Sequence, residues 1–352
     1  MKKVLIADDS ALVRKQLSEI IGTLGFEIET ARNGAEAVQK ATETQYDVIT
    51  MDINMPVMDG LTAVQKIMAI RPTPILMISS LTTESAGITI EALELGAVDY
   101  IAKPGTMNVG KSENTEDILQ KIQTLSRISP RRLKIASRRP VQRERPIRVR
   151  ESTRAERADM GEVTKILLIG ASTGGPGLIE QICRALPSGF SYPVCIVQHM
   201  PEQFTAAFAL RLDKVSALPV VECKDHLELS NGTVYIARGG VHLHFAKKVT
   251  GKIVIREEKN KNSRFFQPSV DEMFSSALKV FSGEQITAVL LTGIGDDGAN
   301  GMVEIKKSGG FTIGESEETA TVYGMPREAY ERGGVSQQLP FPKIVRALQT
   351  LR

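Results

Sequence analysis

Ser172, His199 and the adjacent carboxylates Asp296 and Asp297 are the residues of this chain whose types could supply a nucleophile, its base and an orienting acid. Each follows a short apolar run: ILLIGA precedes Ser172, PVCIVQ precedes His199, and TAVLLTGIG precedes the acid pair. A serine hydroxyl attacks only when a base takes its proton, and an imidazole held by a carboxylate is such a base. Four histidines are present, so the base is one of His199, His226, His242 and His244. His226 lies in the polar stretch KDHLELSNG and reads as a loop residue. His242 and His244 alternate with Val241, Leu243 and Phe245, which places both on one face of a strand, away from its apolar side. With no third ligand at a matching spacing, they read as surface residues and not as a metal pair. His199, at a strand end before Met200-Pro201, is the best placed base. Either carboxylate of GIGDDGANG (293–301) could orient it, and the other would cap the helix expected from 298.

Residues so far apart in sequence meet where the carboxyl ends of parallel strands line one crevice. From Lys165 the chain alternates strand-like and helix-like segments, with helices expected over 270–282, 299–308 and 325–334. Three strand-like runs, 233–238, 241–247 and 252–258, interrupt the alternation, and Thr250-Gly251 makes a hairpin turn between the last two. The expected fold is a doubly wound, mostly parallel α/β sheet with a β-hairpin excursion. In GASTGG (170–175), glycines on both sides of Ser172 let the strand turn sharply into a helix. The hydroxyl is then presented among free backbone amides, which suit an anion or the oxyanion of acyl transfer. A dinucleotide loop would need G-x-G-x-x-G and an acid at the end of the next strand, which here ends in Gln198 and His199.

The first half of the chain repeats the α/β logic. Strands are expected at 4–7, 27–31, 47–52, 74–79 and 99–103, with amphipathic helices such as 11–24 and 84–96 between them, giving a five-stranded parallel (βα)5 domain. Asp8 and Asp9 end the first strand, Asp52 the third, Ser79 the fourth, and Lys103 the fifth. Converging carboxylates repel unless a cation sits among them, and hard oxygen ligands suit Mg²⁺. One carboxylate could accept a phosphoryl group while the metal and Lys103 neutralise its new oxygens. Helix capping accounts for any single acid, but not for an acid trio, a hydroxyl and a lysine at four separate strand ends.

At 352 residues and 42% hydrophobic content the chain has room for about two domains. Residues 127–157 carry 12 basic and 3 acidic side chains, so the modest net charge of +3 conceals one strongly basic segment in an otherwise acidic chain. That segment is arginine-rich, dotted with proline and without helical or strand period, and reads as a solvated linker, since no nucleic-acid recognition motif flanks it. The expected division is 1–125, a linker over 126–160, and 161–352. MKKVLIADDS lacks the long apolar stretch of a signal peptide, and no segment approaches a membrane-spanning length. Three widely spaced cysteines in apolar surroundings fit a reduced, cytoplasmic protein.

Residues 1–125 resemble the receiver domain of two-component response regulators, through Asp8 and Asp9, Asp52 in MDINMPVMDG, Ser79 in MISS, Tyr100 and the Lys103-Pro104 pair. The resemblance implies phosphorylation of Asp52 by a histidine kinase. It also implies Mg²⁺ held by the Asp8-Asp9 pair, Asp52 and the Asn54 carbonyl, with Ser79, Tyr100 and Lys103 sensing the phosphoryl group. With GASTGG, VQHMP, a GGVH segment, QPSVDEMF, LLTGIGDDGANG and YGMPREA added, the whole chain is similar to the chemotaxis response-regulator protein-glutamate methylesterases. That resemblance implies a Ser172, His199, Asp297 triad without a catalytic-domain cofactor, with Thr173 beside the nucleophile and the Ile294 backbone amide as oxyanion donor. It implies hydrolysis of glutamyl γ-methyl esters, and deamidation of glutamines, on methyl-accepting chemoreceptors. The unphosphorylated receiver would obstruct the catalytic crevice. No nucleic acid and no membrane insertion are expected. Three positions depart from the family pattern: Ile294 stands where the family usually has methionine, Asp296 adds a charge beside the triad acid, and Arg238 replaces a proline before Gly239-Gly240. The competing expectation is a transcriptional response regulator that uses the basic linker on DNA, which would require a small helical DNA reader after the receiver.

Overall fold

The computed structural model describes residues 1–80, 82–103, 111–128, 161–259 and 266–351. The expected basic linker lies almost wholly outside them, as does Pro104. The chain divides into two units, Met1–Pro140 and Val141–Arg352.

In the first unit the strands β1 (Lys3–Ala7), β2 (Glu27–Ala31), β3 (Val48–Asp52), β4 (Ile75–Ser79) and β5 (Asp99–Ala102) form one parallel sheet in the order β2-β1-β3-β4-β5. Strands β3 and β4 are buried along their whole length, as parallel strands covered on both faces must be, which is why they read as continuous apolar runs. Helices α1 (Ala11–Gly22) and α5 (Lys111–Leu125) pack together, and α2 (Gly34–Glu43), α3 (Gly60–Ile70) and α4 (Thr83–Glu94) form a second packed group. Side chains stop the orphan amides at several starts: Ser10 accepts from Val13 N, Asn33 from Glu36 N, and Asp59 from Thr62 N. The chain runs from β1 outward to β2 and then back past β1 to β3, so the sheet's switch point lies between β1 and β3. Asp8, Asp9 and Asp52 end those two strands.

The second unit is built on seven strands, β6 (Ile166–Ala171), β7 (Val194–Gln198), β8 (Val220–Glu222), β9 (Val234–Ile236), β12 (Ile286–Leu290), β13 (Phe311–Glu315) and β14 (Gln337–Leu339), ordered β14-β13-β12-β6-β7-β9-β8. All of the pairings in this sheet are parallel. Strands β10 (His242–Lys247) and β11 (Ile253–Glu258) make a separate antiparallel hairpin, turned through Gly251 at a φ of +86°. The expected excursion therefore holds two strands and not three. The run 233–238 instead supplies β9, which pairs with β7 on one side and β8 on the other. Its three residues are all buried, a burial that neighbours on both sides provide and a hairpin edge does not.

Helices α6 (Pro176–Ala185), α7 (Glu202–Val215) and α11 (Phe341–Gln349) form one packed group. Helices α8 (Val270–Ala277), α9 (Ala299–Lys307) and α10 (Met325–Glu331) form the other, and α8 also lies on the hairpin. Helix α8 stops five residues short of its expected end, and neither Asp296 nor Asp297 caps α9, whose N-cap is Gly298 at a φ of +91°. Val270, Met273, Phe274 and Ala277 of α8 share one buried core with Leu243, Phe245 and Ile255 of the hairpin and Leu168, Ala288 and Leu290 of the sheet. Burying each large aliphatic of this kind contributes about 1.5–3 kcal/mol, and that burial seats α8 against the sheet. The second unit is thus a large sheet protein and not a small helical DNA reader, which counts against the transcriptional alternative. From β6 the chain proceeds to β7, β8 and β9 on one side and then to β12, β13 and β14 on the other, placing the switch point between β6 and β12. In an open parallel sheet the ligand crevice lies there.

Candidate active site and phosphoacceptor pocket

Ser172 directly follows β6, and the backbone fixes it from both flanks. Its N–H donates to the Thr292 carbonyl beyond β12 at 3.0 Å, and its carbonyl accepts from Gly175 N at 2.8 Å and from Gln198 Nε2 at 2.9 Å. Gly174 holds the turn at a φ of +79°, where any Cβ would also stand 2.8 Å from the Thr321 Cβ. Across the crevice a Cβ on Gly293 would lie 2.8 Å from the Ser172 Cβ and 2.1 Å from the Met325 sulfur, so only glycine lets the β12 loop close on the serine.

His199 occupies the matching place after β7. Ala171 pairs with Gln198 in the parallel register, and His199 N donates to the Ala171 carbonyl at 3.1 Å, which brings the two loops side by side. The His199 Nε2 lies 2.7 Å from Asp297 Oδ2. A carboxylate only accepts, so Nε2 carries the proton and Nδ1 is the basic nitrogen. That Nδ1 is buried and has no hydrogen-bond partner among the described residues. The ring of Phe266 stacks on the imidazole at 4.0 Å between centroids and 6° between planes, closing one face to water.

Asp297 and not Asp296 is the acid at the histidine. Its Oδ1 accepts from Ser269 Oγ at 2.7 Å and Asp271 N at 3.0 Å, and its Oδ2 accepts from Val270 N at 2.7 Å as well as from His199. Three of these four donors sit at the start of α8, where the helix dipole favours a negative charge. Burial works to raise the Asp297 pKa, but His199 and the two amides outweigh it and hold the carboxyl at about 2. Against about 3.9 in an unfolded chain, this charge stabilises the native state by about 2 kcal/mol above pH 4, and the contribution disappears as pH falls to 2. The wild type should therefore lose that much more unfolding free energy than Asp297→Asn between pH 5 and pH 2, measured by urea titration of the second unit. Parallel pH curves for the two proteins would contradict the assignment.

Asp296 points elsewhere, 2.6 Å from the Arg332 guanidinium, which also holds Asn300 Oδ1 at 2.8 Å. The extra charge at this position is thus neutralised locally. Arg238 likewise has a partner, Glu257, at 2.8 Å, while Gly239 N donates to Thr205 Oγ1 and Gly240 N to the Gln267 carbonyl, so the loop is pinned without a proline. Thr173 is buried, its carbonyl accepting from Thr292 Oγ1 at 2.8 Å. Ile294 is buried, in a loop fixed just before it by Gly293 bonds to Val322 and Met325. The three cysteines are free and buried, and burial pushes the Cys183 thiol up to about 12, so none competes as a nucleophile.

Sequence reasoning missed three contributors here. His242 is 1% exposed, not a surface residue, and Ser269 N, at the start of α8, donates to its Nδ1 at 3.2 Å. Ser269 and Phe266 were not singled out, although the Ser269-x-x-Glu272 spacing before an apolar helix is an N-cap signature and Ser269 Oγ does accept from Glu272 N.

In the first unit, carboxylate oxygens of Asp8, Asp9 and Asp52 lie within 4.8 Å of one another. Lys103 Nζ reaches Asp52 Oδ2 at 2.8 Å and Asp8 Oδ2 at 3.2 Å. Burial lifts the Asp52 carboxyl to about 6, with Lys103 opposing the rise and Asp8 adding to it. Such a set of hard oxygens, partly neutralised by one ammonium, fits a divalent cation. Asn54 is exposed, two residues beyond Asp52. Ser79 is buried beside Lys103, whose N–H donates to the Ser79 carbonyl at 2.9 Å, and its Oγ accepts from Thr89 Oγ1 at 3.1 Å. Tyr100 is buried, with Lys121 Nζ 5.6 Å from its ring. It lies opposite Met77, two residues back along the sheet from the level of Ser79.

The CheB methylesterase family model matches residues 167–348, and the response regulator receiver domain model matches residues 4–113. A protein-glutamate methylesterase/protein-glutamine glutaminase 2 of Carboxydothermus hydrogenoformans is 52% identical over 97% of this chain and 96% of its own. A protein-glutamate methylesterase/protein-glutamine glutaminase of Caldanaerobacter subterraneus is 45% identical over 97% of this chain and 94% of its own. The crystal structure of the Thermotoga maritima CheB methylesterase catalytic domain superposes with a TM-score of 0.52 at 39% identity, covering 54% of this chain and 99% of that one. With a receiver fold in the first unit and the serine, imidazole and carboxylate loops gathered at the switch point of the second, the chain belongs to the CheB methylesterase family.

Proposed function

We propose that this protein hydrolyses glutamyl γ-methyl esters on chemoreceptors, and deamidates receptor glutamines, under control of phosphorylation at Asp52. The observation that carries the hydrolytic reading is the 2.7 Å bond from His199 Nε2 to Asp297, which leaves a buried, basic Nδ1 in the loop beside Ser172. Ser172 Oγ attacks the ester carbonyl as its proton passes to Nδ1. Asp297 retains the Nε2 proton and stabilises the imidazolium. Thr173 and the Ile294 N–H would stabilise the negative charge that develops on the carbonyl oxygen, the role that donors at such a turn serve. The C–O bond to methanol breaks as Nδ1–H protonates the departing oxygen. Water then attacks the acyl-serine by the same route, regenerating the hydroxyl and leaving glutamate. With a glutamine side chain the departing group is ammonia.

Asp52 is the phosphoacceptor because it is the carboxylate that Lys103 approaches most closely, and Lys103 can pair with an added phosphoryl oxygen. Asp8, Asp9, Asp52 and the Asn54 carbonyl would hold Mg²⁺, which when bound neutralises charge on the phosphoryl oxygens. Ser79, beside Lys103, and Tyr100 would respond to the new group. A histidine kinase would be the phosphodonor and the cytoplasm the compartment. No helix among the described residues is long and apolar enough to cross a membrane.

The full chain should release methanol from methylated receptor fragments and ammonia from the glutamine forms; no release above a buffer blank would refute the reading. With acetyl phosphate and Mg²⁺ it should incorporate acid-stable, hydroxylamine-labile phosphate and hydrolyse the ester faster. Asp52→Asn should abolish both responses while leaving the basal rate. Undiminished labelling of Asp52→Asn would move the phosphoacceptor elsewhere.

A further inference from the structure

Every polar group of Ser269 is engaged, and each bond bears on Asp297. The hydroxyl donates to Asp297 Oδ1 at 2.7 Å and accepts from Glu272 N at 3.3 Å, while the carbonyl accepts from Met273 N at 3.3 Å. The Ser269 N–H donates to Nδ1 of His242 at 3.2 Å. Ser269 is 2% exposed and His242 is 1% exposed, so water does not substitute readily in this bond. Because an amide N–H can only donate, His242 Nδ1 is unprotonated here, and the neutral ring carries its proton on Nε2. The result is one continuous line: His242 holds Ser269, Ser269 and the next two amides hold Asp297, and Asp297 holds His199.

We infer that His242 is a positioning residue for the hydrolysis, acting through the Ser269 N–H to fix the start of α8 that clamps Asp297. It touches neither substrate nor reacting atoms. The inference rests on the Ser172, His199 and Asp297 reading above and adds a requirement to it: an acceptor at the place of His242 Nδ1. Without that acceptor, Ser269 N is a buried donor with no partner, and the α8 start can relax by relocating it. The hydroxyl and the two amides would move with it, and the Nε2 to Asp297 bond would lose its alignment. Small misplacements of this kind lower kcat without altering substrate binding.

The test compares His242→Leu with His242→Asn in the full chain, since the Asn side-chain oxygen can stand near the position of Nδ1. His242→Leu should reduce kcat for methanol release about 10- to 100-fold with KM little changed, and His242→Asn should recover most of the loss. A second readout needs no substrate. The low-field proton resonance of the His199 Nε2–H, assigned by its disappearance in Asp297→Asn, should shift or broaden in His242→Leu and stand near its native position in His242→Asn. Wild-type kcat and an unmoved resonance in His242→Leu would overturn the inference, and so would equal impairment of the two variants. Should His242→Leu fail to fold, His242→Gln takes its place, and equal activity of the Gln and Asn variants would then overturn it. Failure of the hydrolase reading itself looks different, because the wild type would release no methanol while the resonance pattern still reported on His242.

Discussion

Asp297→Asn should lower kcat about 10⁴-fold near neutral pH, with KM little changed and the fold retained. The carboxylate accepts from four donors, three of them fixed at the start of α8. An amide has only one acceptor oxygen. To keep two of the three α8 bonds it must turn that oxygen toward Ser269 Oγ and Asp271 N, which presents its NH₂ to His199 and gives up the bond from Val270 N. The imidazole then accepts at Nε2 and carries its proton on Nδ1, the nitrogen that should receive the proton of Ser172. The base is thus lost through its tautomer, and the negative charge that stabilises the imidazolium is lost with it. Initial rates of methanol release from methylated receptor fragments, with a thermal melt as a fold control, measure the effect. A loss of less than tenfold would mean that Asp297 orients nothing of consequence.

Ser172→Ala should be at least as severe, on the order of 10⁴-fold or more, because it removes the atom that forms the covalent bond. The substitution is conservative for the fold. The bonds that hold residue 172 to Thr292, Gly175 and Gln198 use its backbone groups, and the Cβ that fits against Gly293 is kept. An unchanged melting temperature beside an abolished rate is therefore the expected pair of results. A rate lost together with the fold would instead make Ser172 a structural residue of the β6 turn.

The strand ends carried most of what could be read in advance. Continuous apolar runs such as 166–171 and 75–79 are buried parallel strands, and the polar residues that follow them do line the two switch-point crevices. What could not be read depended on which element covers which face. Alternation in 241–245 put His242 on one side of a strand, but nothing in that pattern showed that the residue opening α8 would bond to it. The choice between Asp296 and Asp297 needed the same helix, since only the start of α8 supplies the amides that select one of two adjacent carboxylates. Strand β9 was misassigned because a run of three buried residues serves equally as a hairpin strand or as an interior strand of a larger sheet. Strands β8, β13 and β14, outside the runs singled out, are shorter or flanked by glycine and serine, and long-range pairing stabilises them more than local preference does.

The central claim is that Ser172, His199 and Asp297 work as one unit, and methanol release by Ser172→Ala, His199→Ala and the triple Ser172→Ala/His199→Ala/Asp297→Asn chain tests it most directly. Either single substitution at the serine or the histidine should reach the same residual rate as the triple. Ser172→Ala hydrolysing at the wild-type rate, or losses that multiply from the singles to the triple, would contradict it.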